Sequence, residues 1–158
     1  MITVKLNEAN FEYDIYSLIK AFYPQEEILV DTNPKADQEK VSFSFVVTYA
    51  MEQITITWKI KDAETTRRCD VCYQDRKDTK NRLKRLLYEI LQEISGRELP
   101  WGTLTGIRPT KIPLRMLEEG ADETAIRTYM KDTYLISEEK ETLCTEIAKK
   151  EHRLLAPV

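Results

Sequence analysis

Thr105, Gly106, Arg108, Thr110 and Lys111 gather two hydroxyls, two cations and a glycine backbone into one short stretch. Such a set suits an oxyanion: guanidinium and ammonium groups pair with carboxylate or phosphate, and hydroxyls and backbone N–H groups donate to it. A helix begun by Pro109 would turn its positive end toward the same charge. A second reading gives Arg108 an acidic partner across a domain junction and leaves the glycines only to shape the chain. Both readings stand at this level, and Pro113 also allows the regular helix to begin later than Pro109.

Cys69-Asp70-Val71-Cys72, with Cys144 and His152, would supply four zinc ligands by type. However, a strand over 65–73 turns Cys69 to the face of Val71 and Tyr73 and Cys72 to that of Asp70, so chelation would require a break in the strand. The preferred reading is a buried, apolar Cys69, a surface Cys72 and no metal site. His152 is the only histidine and sits among Lys149, Lys150, Glu151 and Arg153, as a solvated group does. Arg76, Lys77, Lys80, Arg82, Lys84 and Arg85 could bind phosphate, or could form the solvated face opposite a leucine stripe. No Ser/His/Asp order, phosphate-loop glycine pattern or dinucleotide glycine pattern occurs. Glu118, Glu119, Glu138, Glu139 and Glu141 read as helix-surface charges.

The elements that must position these groups are legible from periodicity. Ile2, Val4 and Leu6 alternate with polar residues as a half-buried strand does, and Phe11, Ile15, Leu18, Ile19 and Phe22 predict a helix ended by Pro24. Ile28–Val30 predicts a short strand, and 31–40 an exposed loop. Two alternating runs, 41–49 and 54–61, predict paired antiparallel strands, and 65–73 an edge strand after a turn near Asp62-Ala63. Lys77–Ser95 carries one apolar stripe and ends at Gly96. Beyond it, Ile112, Met116 and Leu117 precede Gly120, Asp122 caps a helix carrying Ile126, Tyr129 and Met130, and Ser137 caps a last helix with Leu143, Cys144, Ile147 and Ala148 inward. The fold class is α+β: a mainly antiparallel sheet with two covering helices over 1–96, a shaped glycine/proline turn over 97–106, and a small three-helix unit over 107–158.

The chain has 158 residues, 24 Lys and Arg against 27 Asp and Glu, and a net charge of -3, which gives no global field favouring nucleic acid. Three cysteines at irregular spacing predict reduced thiols. The absence of an export signal or a long apolar run predicts a cytoplasmic protein without a membrane partner.

Gly102-Thr103-Leu104-Thr105-Gly106-Ile107-Arg108-Pro109-Thr110-Lys111-Ile112, the later Leu117-Glu118-Glu119-Gly120 and then Tyr134-Leu135-Ile136-Ser137-Glu138-Glu139-Lys140 resemble the amino-terminal region of the HemZ-type coproporphyrinogen dehydrogenases, the oxygen-independent coproporphyrinogen III oxidase-like radical SAM proteins. The resemblance implies a radical SAM barrel downstream, in which a [4Fe-4S] cluster on a C-x3-C-x2-C motif cleaves S-adenosylmethionine. The radical then leads to loss of carbon dioxide from coproporphyrinogen propionates, which become vinyl groups. Thr65 stands four positions before Cys69, so that motif is absent here and this chain is expected to be inactive alone, an amino-terminal part of a longer haem-biosynthesis enzyme with no cofactor of its own. Arg108 and Lys111 would then contact a propionate of coproporphyrinogen or dock the barrel. An RNA-binding module on 76–85 and a protein-interaction module on the helices are the rival readings.

Overall fold

The alternating start of the chain forms β1 (Ile2–Leu6), with Ile2, Val4 and Leu6 buried and Lys5 exposed, and the helical repeat that follows forms α1 (Glu12–Phe22). The computed structural model describes residues 1–105 and 108–155. After α1 come β2 (Ile28–Asp31), a 3-10 turn at Gln38–Lys40, the strands β3 (Phe43–Ala50), β4 (Gln53–Ile60) and β5 (Ala63–Asp70), and α2 (Arg76–Ser95). The strands lie in the order β2-β1-β3-β4-β5. β1 is parallel to both β2 and β3, while β3, β4 and β5 form an antiparallel meander with longer ladders, seven and eight residue pairs against four and five. The class is α+β as the periodicity implies, and the sheet is mixed.

One face of this sheet is the core of the first unit, Met1–Arg97. Phe45, Val47, Ile54 and Ile56 bury themselves from the middle strands, and Leu18, Ile19, Leu83 and Leu87 meet them from the helices. Phe22 and Tyr88 join α1 to α2 edge to face, with ring centroids 5.2 Å apart. The other face is polar, and cross-strand Thr57 and Thr66 hydroxyls lie 3.0 Å apart on it. β5 ends at Asp70, three residues short of the expected strand, because its partner β4 begins at Gln53, opposite Asp70. The Val71 N–H then donates to the Glu52 carbonyl, and Asp75 caps α2 by accepting from the Asp78 N–H at 3.0 Å. The turn before β5 is Lys61-Asp62, one residue earlier than expected, with Lys61 in the left-handed region.

The second unit, Glu98–Val158, contains α3 (Lys111–Glu118), α4 (Glu123–Tyr134) and α5 (Glu138–Leu155). Each expected cap is present: Asp122 accepts from the Ala125 N–H, and Ser137 from the Lys140 N–H. Gly120, at φ 88°, lets the Ala121 N–H reach the Met116 carbonyl and close α3. Ile126, Met130, Tyr134, Ile136 and Cys144 form the core. Two expectations for α5 fail. Leu143 and Ile147 face outward at 44% and 37% exposure, and Glu141, read as a surface charge, is buried. The helical phase is set by Cys144, Thr145 and Ala148, all fully buried, which carries Glu141 inward one turn before them. No helix among the described residues is long and apolar enough to cross a membrane.

Candidate functional site

The glycine-rich turn is built against the connection between α4 and α5. Gly102 has φ 57°, and a Cβ there would lie 1.9 Å from the Tyr134 carbonyl oxygen, so no other residue fits. That close approach lets the Thr103 N–H donate to the same oxygen at 2.8 Å, while the Ser137 N–H donates to the Pro100 carbonyl at 2.9 Å. The Thr103 hydroxyl also reaches the Tyr134 oxygen, at 3.3 Å. Leu135 closes α4 in the left-handed conformation, and the Lys140 ammonium lies over the Trp101 ring, 5.5 Å from its centroid. The segments beginning at Gly102 and at Tyr134, far apart in sequence, are thus one clamp.

The candidate anion ligands follow directly from the clamp. Thr105, Arg108 and Lys111 are exposed, and Thr110 is half-buried; Gly106 and Ile107 lie outside the described residues. α3 begins at Lys111, two residues after Pro109, because the Lys111 N–H turns back to the Arg108 carbonyl at 3.2 Å. The Leu114 N–H is given to the Thr110 carbonyl and Pro113 has none, leaving the Ile112 N–H as the remaining first-turn donor. The Thr110 side chain makes no capping bond, and no acidic residue occupies the first turn. Anion affinity at this end therefore depends on the Arg108 and Lys111 side chains more than on helix N–H groups. No acidic partner of Arg108 is found among the described residues.

The cysteine set is not brought together. Cys69 is half-buried opposite Ile54, and Cys72 is exposed beyond the end of β5. Burial raises the Cys69 thiol above its usual pKa, against the smaller opposing effect of Arg82. Cys144 and His152 stand eight residues apart on α5; the buried Cys144 thiol, pushed up to about 11 by desolvation, donates to the Pro109 carbonyl at 3.4 Å. Among the described residues no three His, Cys, Asp or Glu side chains converge on a metal position. These residues do not fit a three-cysteine cluster either.

Five of the six candidate cations of α2 are divided between two cavities, and Lys84 lines neither. Arg76, Lys77 and Lys80 line one of about 380 Å³ with Phe11 and Asp14, Arg76 stacking 4.4 Å from the Phe11 centroid. Arg82 and Arg85 line another of about 260 Å³ with Arg68, Cys69 and Glu89. Arg82 is also paired with Asp78 at 2.8 Å. A single phosphate-tracking stripe is not what this division produces.

Sequence reasoning missed the partner of Gly102 and the buried pair Glu141 and Thr145. The Gly102 clamp had a signal in the adjoining Pro100, Gly102 and Gly106, but nothing local named Tyr134 as the atom that forbids a side chain.

No protein-family profile matches this chain, and no solved structure matches it. Among curated proteins, the oxygen-independent coproporphyrinogen-III oxidase-like protein HemZ of Bacillus subtilis (strain 168) is 36% identical over 75 residues, covering 48% of this chain and 15% of that relative. The chain spans a small part of the relative it matches. The chain is thus similar to HemZ over about half of its own length, in agreement with the resemblance carried by the Gly102 and Tyr134 segments.

Proposed function

We propose that this chain is a non-catalytic accessory domain of an oxygen-independent coproporphyrinogen-III oxidase-like radical SAM enzyme of haem biosynthesis, working in the cytoplasm. The 36% identity to HemZ carries the reading. The iron–sulfur cluster and S-adenosylmethionine belong to the barrel in the rest of the polypeptide, which is this domain's partner. The domain presents coproporphyrinogen to that barrel. Arg108 and Lys111, with Thr105 and Thr110 as further donors, hold a propionate carboxylate. The division of five of the α2 cations between two cavities supports this reading over an RNA-binding one.

Anaerobic titration with coproporphyrinogen tests it. Trp101, half-buried in the turn, is the fluorescence reporter, and calorimetry gives the stoichiometry. Saturable one-to-one binding is expected, weakened at least about tenfold when Arg108 and Lys111 are both replaced by alanine, the effect of losing roughly 1.4 kcal/mol. Binding that ignores the double substitution moves the carboxylate site elsewhere. No binding at all removes the presenting role.

A further inference from the structure

The polarity of α5 is mixed. Its buried positions are Glu141 and Thr145 beside Cys144 and Ala148, while Leu143, Ile147 and Leu154 are 44%, 37% and 84% exposed. At about 100° per residue these three fall within roughly 40° of arc, along three turns of the helix. Lys150 lies in the same strip and adds its aliphatic stem. Single exposed leucines are ordinary on a protein surface; an aligned row on one helix is the kind of apolar surface that a partner covers.

We infer that this strip seats the part of a HemZ-like polypeptide that this chain does not contain. The inference rests on the reading of the chain as one domain of such a protein. The 75 matched residues are 15% of the relative, so 75/0.15 gives it about 500 residues, of which more than half have no counterpart in these 158. A second copy of this chain is the weaker occupant on area. Stable association of separate molecules takes about 800 Å² from each partner, more than a row of three side chains offers. A covalently continuous partner needs far less, because its effective concentration is of the order of millimolar.

Amide hydrogen exchange compares this 158-residue chain with the natural polypeptide that carries its sequence. Amides of residues 143–155 are expected to exchange at least tenfold more slowly in the longer polypeptide. Leu143→Lys with Ile147→Lys should abolish that difference, while leaving the melting temperature and exchange of the 158-residue chain unchanged. Leu154→Lys, at the most exposed position, should reduce the protection by itself. Equal rates in the two polypeptides overturn the inference, as does a dimer of the 158-residue chain that the double substitution dissociates. Intact mass of the natural product checks the underlying reading separately. A product ending at Val158 removes the domain reading, whereas a longer product with unprotected α5 removes only the inference.

Discussion

The two units solve the burial problem differently. Met1–Arg97 is a two-layer α+β unit in which apolar residues fill the helix-covered face of the sheet, and the other face is mostly threonines and charges with Val46 exposed among them. Its edge strand β5 carries Glu64, Arg67, Arg68 and Asp70, and Arg67 pairs with Glu93 of α2. Glu98–Val158 is held by a smaller core, by the Gly102 clamp and by an ion-pair network in which Arg127 and Lys149 bridge Glu123 and Glu146 between α4 and α5. Hydrogen bonds from Arg127 and Lys149 hold the Glu123 carboxyl below its usual pKa. Both units bury polar side chains, Thr79 and Asn81 in the first and Glu141 and Thr145 in the second, and both expose apolar ones. The difference is that Tyr13, Val46 and Met51 are scattered over separate parts of the first unit, whereas Leu143, Ile147 and Leu154 line up on one helix of the second.

The largest effects should separate the two cores. Phe22 is fully buried against Tyr88, so Phe22→Ala should cost about 3–5 kcal/mol in a denaturant transition followed by Trp58. If the Trp101 signal shifts by the same amount, the units unfold as one block and the contrast between their cores dissolves. Gly102→Ala should act in the opposite sense, on the Trp101 transition. It combines left-handed strain with a backbone collision and should cost more than about 2 kcal/mol. A cost below about 1 kcal/mol, the strain of the backbone conformation alone, would mean that the clamp does not hold the turn.

How this contrast was written into the sequence differs along the chain. Alternation is a period-two signal, and where one face is buried it locates strands well; β1, β3 and β4 were therefore legible from Ile2, Phe45 and Ile56 and their neighbours. The ends of β5 were not, because the chain leaves the ladder when its partner strand runs out at Gln53, a tertiary fact. α5 is a helix as expected, with Cys144 and Ala148 inward as expected and Leu143 and Ile147 outward against expectation. Leu143 and Ile147 sit one turn apart, as core residues do, and packing through Cys144, Thr145 and Ala148 turned them outward. The Thr105–Lys111 candidates were legible as chemistry. The Tyr134 carbonyl that fixes the turn was not, since a backbone atom leaves no mark in residue type.

Raising the pH should sharpen the contrast further. Burial lifts the Cys144 thiol from an ordinary 9.0 to about 11, so the folded second unit holds a proton that the unfolded chain releases. Its contribution to stability is complete below pH 9 and falls as the pH climbs toward 11, by at most about 2–3 kcal/mol. Trp101-detected unfolding across that window should show the loss, and Cys144→Ala should remove it. Alkylation at neutral pH gives the companion result: exposed Cys72 reacts promptly, and Cys144 only when the second unit opens. An alkali-insensitive Trp101 transition in the parent chain would contradict the assigned burial.

Two threonines offer the finest comparison, because they share a residue type and a complete burial and differ in whether the hydroxyl is satisfied. Thr79, in the first turn of α2, lies within 2.8 Å of the carbonyls of both Cys72 and Asp75. Thr145, inside α5, has no hydrogen-bond partner among the described residues. Replacing either by valine removes a hydroxyl and keeps nearly the same volume. At Thr79 the exchange removes a hydroxyl that donates to one of these carbonyls at a time, while the Asp75 and Thr79 N–H groups still donate to the Cys72 and Asp75 carbonyls, and should cost about 1 kcal/mol. At Thr145 it removes a polar group that gave up its water for nothing, and should stabilise the second unit by about 1 kcal/mol. Thr145→Ser keeps the hydroxyl and deletes the methyl group, so it should destabilise by about 1 kcal/mol. Opposite signs for the two valine variants, read from the Trp58 and Trp101 transitions, would establish that the buried hydroxyl of the first unit is satisfied and that of the second is not. A loss at Thr145 as large as that at Thr79 would instead mean that its hydroxyl is satisfied, and that the inner face of α5 is polar for a reason of its own.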